Sequence, residues 1–228
     1  MLLLVTDTSG KHGSVALVRT GEGSGANGVQ VIEEVPLAGG TFSAQLVPQI
    51  AALLSKHGFS KADVDAFIVV SGPGSFTGLR VGLAAIKALA EILHKPIVPV
   101  SLLEVIALAS HREGNVVAAL DAGRGEVYAG EYKVAAQSAQ VFRERVLTRD
   151  EFLSSANGSV VATMVASLAE AVRLAEIPVD MIEGTTAGMI ALLGWKKLQA
   201  GETVTPEELE ANYIRRTDAE IFAKPSSS

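Results

Sequence analysis

The feature that most constrains the fold is a hairpin pattern that occurs twice. Residues 4–18 read LVTDTSGKHGSVALV and residues 119–132 read ALDAGRGEVYAGEY. Each segment has an apolar run, an aspartate, a tight turn with glycine and an alternating strand, so that Asp7 corresponds to Asp121. Alternation of apolar and polar residues is typical of a strand with one buried face. The repeat predicts a duplicated fold, although strand-turn-strand units also resemble one another in α/β proteins that have no duplication.

The element order of the first half is that of a ribonuclease H-like sheet. Apolar runs and alternating patterns predict strands at residues 2–6, 14–19, 29–35, 66–71 and 97–101, and helices at 43–57 and 79–94. Three meandering strands followed by helix, strand, helix and strand give this order. Together with the repeated hairpin, they predict an α/β protein with an actin-like (ASKHA), duplicated ribonuclease H-like fold.

Two subdomains follow from the duplication. We expect residues 1–104 to form the first and residues 105–228 to form a reduced second one. Beyond residue 146 the patterns predict helices at 149–155, 163–176 and 186–199, and a short helix or turn that begins at Pro206.

Composition excludes several classes of function. The 228 residues are 48% hydrophobic and include no cysteine, so a sizeable core is available, but a disulfide, a thiolate metal site or a cysteine nucleophile is not. We expect a cytoplasmic protein without a membrane segment, because the opening apolar run is short and Lys87 and Glu91 interrupt the best candidate span. A net charge of −6 disfavours tight, independent binding of nucleic acid.

A glycine-rich turn joins a predicted strand to a predicted helix. It reads SGPGSFTGLR at residues 71–80. Gly72, Gly74 and Gly78 would let backbone amides approach an anion at the start of the helix. The segment lacks the Gly-Lys-Ser/Thr of a Walker loop and the spacing of a dinucleotide fingerprint. A tight strand-to-helix connection is therefore the favoured interpretation, and phosphate binding is the weaker one.

Candidate catalytic residues are few. Asp7 and Asp121 lie where an ATPase of this architecture would place carboxylates for Mg²⁺, but aspartate is also a common turn residue. The four histidines are scattered without the HExxH spacing of a zinc hydrolase, and we expect no metal site. Ser75 does not lie in the G-x-S-x-G elbow of a serine hydrolase. The enzymatic alternative is an autonomous nucleotide-dependent small-molecule kinase or ATPase of the actin-like superfamily.

Two predicted helices carry more apolar surface than contact with one sheet requires. Ala84 and Ala88 lie one turn apart on a helix rich in small residues, which lets another helix approach closely. The preceding helix has a broad apolar stripe that includes Leu46 and Ile50. A patch of this kind marks an interaction site if it is exposed. Burial within the same chain is the structural alternative.

Four segments together resemble one known family. They are DTS at residues 7–9, SGPGSFTGLRVGLAAIKALA at 71–90, LDAGRGEVYAGEY at 120–132 and ANYIRR at 211–216. The resemblance covers nearly the whole chain and is to the TsaB (YeaZ) family of bacterial tRNA threonylcarbamoyladenosine synthesis.

The resemblance implies a non-catalytic scaffold and activator. Members act with TsaD, their catalytic paralogue, and with TsaE in threonylcarbamoyl transfer to the adenosine next to the anticodon of ANN-decoding tRNAs. It implies that tRNA is bound only through the complex and that no cofactor belongs to this chain, with a nucleotide only at the junction with TsaD. Phe42 stands where many relatives keep a single histidine of the paralogue's H-x-x-x-H metal pair.

The resemblance also implies the interface. In the family, the helices that correspond to residues 43–57 and 76–94 form a bundle with the same elements of TsaD, or with a second copy when TsaD is absent. The candidate interface residues are Leu46, Val47, Ile50, Leu54, Phe76, Leu79, Arg80, Leu83, Ala84, Lys87 and Ala88. The candidates for a vestigial nucleotide or phosphate site are Asp7, Thr8, Ser9, Gly72, Gly74 and Asp121.

Overall fold

The computed structural model describes residues 1–21, 27–136, 138–212 and 214, so Tyr213 and residues 215–216 of the ANYIRR segment lie outside it. The first elements are β1 (Leu2–Asp7), β2 (His12–Thr20), β3 (Val29–Ala38), α1 (Phe42–Lys56), β4 (Ala66–Gly72), α2 (Phe76–Leu93) and β5 (Ile97–Ser101). They are followed by α3 (Leu102–Ala109), β6 (Gly114–Gly123), β7 (Glu126–Ala135), β8 (Ser138–Thr148), α4 (Arg149–Ser155), β9 (Val160–Thr163), α5 (Ala166–Leu174), β10 (Val179–Met181) and α6 (Ala187–Gln199). Within the described ranges, no helix is both long and apolar enough to cross a bilayer.

The strands form two sheets with the same topology. The first has the order β3-β2-β1-β4-β5 and the second has the order β8-β7-β6-β9-β10. In each sheet three antiparallel strands come first, and two strands parallel to the first of them follow. Because β1 corresponds to β6, the hairpin that recurs in the sequence opens both sheets. The predicted α/β, actin-like fold of two ribonuclease H-like units is confirmed.

Helices cover both faces of the first sheet. Successive residues of a strand point to opposite faces. Leu4 of β1 lies in a core cluster with α1 and α2, whereas Leu3 and Val5 lie in a second cluster with α3 and α6. That second cluster continues into the other sheet through Val116 and Ala118 of β6. A shared apolar core therefore joins the two halves.

Helix α6 packs on the first sheet although it comes late in the chain. It contacts β1, β2, β3, β4 and β5. The division into residues 1–104 and 105–228 stays a prediction, because the core formed by α3 and α6 spans both parts.

Beyond residue 146 the sequence predicted only helices, and two short strands between them were missed. Residues 160–163 form β9 and residues 179–181 form β10, so the helix predicted at 163–176 is the shorter α5. β9 lies between β6 and β10, and its residues are largely buried. A four-residue apolar run has no readable period, so burial between two strands decided its structure.

Gly194 sets how closely α6 approaches the first sheet. A Cβ atom there would lie 2.6 Å from Cδ1 of Ile68, a fully buried residue of β4. We predict that Gly194→Val lowers the free energy of unfolding by about 1–3 kcal/mol, because it overpacks this contact. Urea denaturation measures the loss. Gly184→Val is the control, since a Cβ at Gly184 meets no atom within 4 Å; an equal loss in both variants would contradict the prediction.

Candidate functional site

The backbone of the turn that follows β1 packs directly against the glycine-rich segment that leads into α2. A Cβ on Gly74 would lie 2.3 Å from the carbonyl oxygen of Ser9, and a Cβ on Gly78 would lie 2.1 Å from that of Thr8. The backbone N–H of Ser75 donates to the Ser9 carbonyl at 2.6 Å. Glycine is needed at these positions because any side chain would push the two turns apart. The glycines thus serve close packing of one backbone segment on another.

Helix α2 begins three residues before its predicted start because Ser75 caps it. The Ser75 hydroxyl accepts a hydrogen bond from the Gly78 N–H at 3.3 Å, and its carbonyl accepts one from the Leu79 N–H at 2.8 Å. A serine at this position satisfies amides that the first turn of a helix leaves unpaired. Two amides that could face an anion, those of Ser75 and Gly78, are therefore engaged within the chain.

Asp7 ends β1 and turns its carboxyl group towards Ser9. Its Oδ1 accepts hydrogen bonds from the Ser9 N–H at 2.8 Å and from the Ser9 hydroxyl at 2.6 Å. Burial raises the pKa of Asp7 above its ordinary value of 3.8, although the hydrogen bonds from Ser9 act in the opposite direction. Burial thus makes the ionised form, which a Mg²⁺ ligand requires, more costly than in water.

A cleft of about 820 Å³ lies between the two halves. It brings together three of the six candidate nucleotide residues, Ser9, Gly74 and Asp121, whereas the other three are not among its lining residues. Those three are Asp7, Thr8 and Gly72. Asp121 is exposed, and its Oδ1 accepts a hydrogen bond from the Gly123 N–H at 2.8 Å.

The cleft walls also contain residues that the sequence did not single out. Leu102, Tyr128 and Met164 form part of an apolar wall, and Lys11 brings a cation from the first half. No spacing in the sequence signals them, because they come from separate elements that only the fold brings together.

Two observations bear on whether the described residues could hold a Mg²⁺–nucleotide complex. Within residues 1–21, 27–136, 138–212 and 214, no group of three His, Asp or Glu side chains is placed to hold a metal. The Phe42 ring occupies the space between the start of β2 and the first turn of α2: a Cβ on Gly13 would lie 2.8 Å from its Cε1, and a Cβ on Gly78 would lie 3.3 Å from its Cε2. Phosphoryl transfer needs carboxylates for the metal and an open cradle of amides. In this chain the carboxyl group of Asp7 accepts from Ser9, and the amides of Ser75 and Gly78 are hydrogen-bonded within the chain.

The candidate interface residues on α1 and α2 fall into two groups. Five are buried in the chain's own core, beneath the helices: Leu46, Ile50, Leu54, Leu79 and Leu83. The other six are exposed or partly exposed: Val47, Phe76, Arg80, Ala84, Lys87 and Ala88. The buried leucines and isoleucine hold the helices on the sheet, so the second group is the part that another molecule could contact. Their assignment to an interface stays a prediction.

The outward surface of α1 is mainly apolar along four turns, and its one exposed charged residue is Lys56 in the last turn, which pairs with Glu33. Its exposed residues are Ser43, Ala44, Val47, Pro48, Ala51, Ala52, Ser55 and Lys56. On α2, Ala84 and Ala88 lie between Arg80 and Ile92, and the guanidinium of Arg80 lies 3.7 Å from the centroid of the Phe76 ring. We call the exposed residues of both helices the outer face. Much of the outer face on α1 was not predicted from the sequence, although the i, i+3, i+4, i+7 spacing from Ala44 signals it.

Gly82 lets Thr8 pack on α2. A Cβ on Gly82 would lie 2.2 Å from the Thr8 hydroxyl oxygen and 3.3 Å from the Thr8 Cβ. We predict that Gly82→Ala lowers the free energy of unfolding by about 1–2 kcal/mol, despite the higher helix propensity of alanine. Adding Thr8→Ala should restore most of the loss, because it removes the hydroxyl. A double-mutant cycle by urea denaturation tests the coupling, and strictly additive losses would refute it.

Asp7 should make stability fall as the pH rises. Its folded-state pKa lies above the ordinary value of 3.8, so the neutral carboxyl favours folding below that pH, and this contribution is lost as the pH rises through the raised pKa. We predict that Asp7→Asn is more stable than the wild type at neutral pH and that the difference vanishes below pH 3.8. Urea denaturation of both proteins at neutral pH and below pH 3.8 measures the difference.

Asp121→Asn serves as the control for this prediction. Asp121 is exposed, and surface substitutions change the free energy of unfolding by about 0.5 kcal/mol or less. If Asp7→Asn were less stable than the wild type at neutral pH, the proposed cost of burying this carboxyl would be wrong.

Comparison with known proteins identifies relatives along most of the chain. The family model described as TsaD: tRNA N6-adenosine threonylcarbamoyltransferase matches residues 36–222. The tRNA threonylcarbamoyladenosine biosynthesis protein TsaB of Haemophilus influenzae is 38% identical over 149 residues, which are 64% of this chain and 56% of that protein. TsaB of Bacillus subtilis is 33% identical over 134 residues, 58% of this chain and 56% of that protein. The matched part thus spans just over half the length of these relatives.

A solved structure supports the same assignment. YeaZ from Pseudomonas aeruginosa superposes with a TM-score of 0.74 at 26% sequence identity, covering 93% of this chain and 100% of that one. The resemblance inferred from the sequence motifs is confirmed. Since the family model covers most of its length, the chain belongs to the TsaD family, in which it is similar to the TsaB (YeaZ) proteins of tRNA threonylcarbamoyladenosine biosynthesis.

Proposed function

We propose that this chain is a non-catalytic scaffold subunit that binds and activates a TsaD-type transferase in tRNA threonylcarbamoyladenosine biosynthesis. The observation that carries the proposal is the outer face of α1 and α2. Val47 is 52% exposed and Ile92 is 67% exposed, and small residues such as Ala84 and Ala88 lie between the larger ones. A continuous, mainly apolar helix surface of this kind is typical of a protein–protein contact.

Small side chains favour a helical partner. Alanines one turn apart let a second helix approach to about 8–10 Å between axes. The Phe76–Arg80 stack adds a flat aromatic surface with a fixed cation, and residues of these types often dominate the energy of an interface. The outer face therefore suits helices of a partner better than an extended strand.

A paralogue is the partner that fits best. The TsaD model matches this chain from residue 36 to residue 222, which includes α1 and α2, so a TsaD-type protein would carry equivalent helices. A twofold contact between two copies can be replaced by a pseudo-twofold contact with a paralogue. In this proposal a second copy covers the outer face when TsaD is absent.

The residues near the cleft and the net charge of the chain support assigning the transfer chemistry and the binding of tRNA to the complex with TsaD. Asp7 is tied to Ser9, and Phe42 fills space beside the glycine turn, so the transfer chemistry belongs to TsaD. The net charge of −6 would repel the phosphate backbone, so tRNA binds only through the complex. TsaE joins the assembly in the cytoplasm, and the place for a nucleotide is the junction with TsaD.

Ala88→Glu tests the outer face. Ala88 is exposed on α2, so the variant should fold normally, but complex formation would bury an unpaired charge. We predict that its affinity for the cognate TsaD, measured by isothermal titration calorimetry, falls by about 100-fold or more. Threonylcarbamoyl transfer by TsaD should stop when this chain is omitted and return with the wild type but not with the variant.

Leu174→Glu is the matched control. Leu174 is 78% exposed on α5 in the second half, so the same charge there should leave affinity and transfer unchanged. If Ala88→Glu bound TsaD with near wild-type affinity, the outer face would not be the contact surface. Transfer at the full rate without this chain would remove the proposed function itself.

A further inference from the structure

A segment that follows α6 is bound along the first sheet. We call residues 203–212 the strap. Val204 exchanges both backbone hydrogen bonds with Ile97 of the edge strand β5, at 2.9 and 3.4 Å. Leu209 is 1% exposed and lies in the core cluster beneath α1 and α2. The Asn212 N–H then donates to the carbonyl of Ser71 at the end of β4, at 2.8 Å. Every one of these contacts is with the first half.

The side chain of Asn212 makes the strap's contact with the second half. Its Nδ2 donates a hydrogen bond to Oε2 of Glu144 at 2.6 Å. Glu144 belongs to β8, the edge strand of the second sheet, and is partly buried. Asn212 therefore lies where the two sheets come together.

The other oxygen of Glu144 receives two more donors. The hydroxyl of Ser101, at the end of β5, donates to Oε1 at 2.5 Å. The hydroxyl of Tyr132, on β7, donates to the same atom. One carboxylate thus holds a group from the first sheet, a group from the second sheet and the strap.

The chemistry of the carboxylate suits this role. An ionised carboxylate is an acceptor only, and hydrogen bonds to it are about twice as strong as those between neutral groups. Tyr132 is 1% exposed, and burial raises its pKa far above the ordinary value of 10.0, so its hydroxyl keeps the proton it donates. Loss of the carboxylate would leave partly buried donors without an acceptor.

We infer that Glu144 is a positioning residue that ties the strap to the second sheet and thereby holds the two halves in one relative placement. The apolar core of α3 and α6 also joins the halves, but apolar contacts are not directional and tolerate small rotations. Hydrogen bonds are directional, so three of them to one carboxylate do not tolerate such rotations. The inference is independent of the proposed function.

Asn212→Ala removes the strap's donor and leaves Ser101 and Tyr132 on Glu144. We expect the backbone N–H groups of residue 212 and of Val204 to exchange with deuterium at least about tenfold faster than in the wild type. This is the change expected when a hydrogen bond to a charged group is lost. Glu144→Gln should also speed this exchange, because its amide keeps one acceptor oxygen where the carboxylate has two, so the hydrogen bond from Asn212 is either lost or no longer made to a charged group. Glu170→Gln is the control, since Glu170 is exposed on α5 and its partner Arg173 lies 3.7 Å away.

The relative placement of the halves needs its own measurement. Because the chain has no cysteine, Ala62→Cys between α1 and β4 and Leu174→Cys on α5 give one exposed spin-label site in each half, both outside the outer face. We expect the distance distribution between the labels to broaden in Asn212→Ala and to stay narrow in Glu170→Gln.

Two results would overturn the inference. Unchanged exchange of Asn212 and Val204 in a folded Asn212→Ala variant would show that Glu144 does not anchor the strap. Faster exchange with an unchanged distance distribution would show that the strap is anchored but does not hold the halves. If Glu144→Gln fails to fold, Asn212→Ala alone decides, because it leaves the carboxylate and its other two donors in place.

Discussion

The contact between the turn after β1 and the start of α2 is the constraint on which the candidate site depends. Backbone lies on backbone there, with Ser9 and Thr8 against Gly74 and Gly78, so neither segment can move without the other. This contact fixes the beginning of α2 at Ser75 and hence the direction in which the helix presents its small residues. The glycine turn resembles an anion site in sequence, but its physical task is to place a helix.

The same contact changes what the duplicated fold can do. Two ribonuclease H-like units create a cleft and bring an aspartate to the first turn of each sheet, as an actin-like ATPase would need. In this chain Asp7 is turned towards Ser9 with its pKa raised by burial, and Phe42 fills the space beside Gly13 and Gly78. The architecture of a nucleotide cleft is therefore present, and these two features support the proposal that the transfer chemistry belongs to a partner. The proposed function moves from the cleft to the outer face of α1 and α2.

Much of the fold could be read from local pattern. The order of the first five strands predicted the first sheet, and the repeated hairpin predicted how the second sheet begins, because side-chain alternation reports a buried face directly. Helix 149–155 was predicted with its observed bounds, and 186–199 differs from α6 by one residue. β9 and β10 were missed because strands of four and three residues carry no measurable period. The outer face was predicted only in part: the apolar spacing named Leu46 and Ile50, which the sheet buries, and passed over Ala44 and Ala51.

The sequence by itself determined the duplication, the family and the position of a close strand-to-helix turn, since each depends on neighbouring residues or on motifs. Only the tertiary structure decided which apolar residues of α1 and α2 remain exposed and that α6 covers the first sheet. It also decided that Ser101, Tyr132 and Asn212 all donate hydrogen bonds to the carboxylate of Glu144. These outcomes join residues far apart in the chain. Burial and hydrogen bonding between distant segments leave no periodic trace in the sequence, because they depend on where the backbone places each group in space.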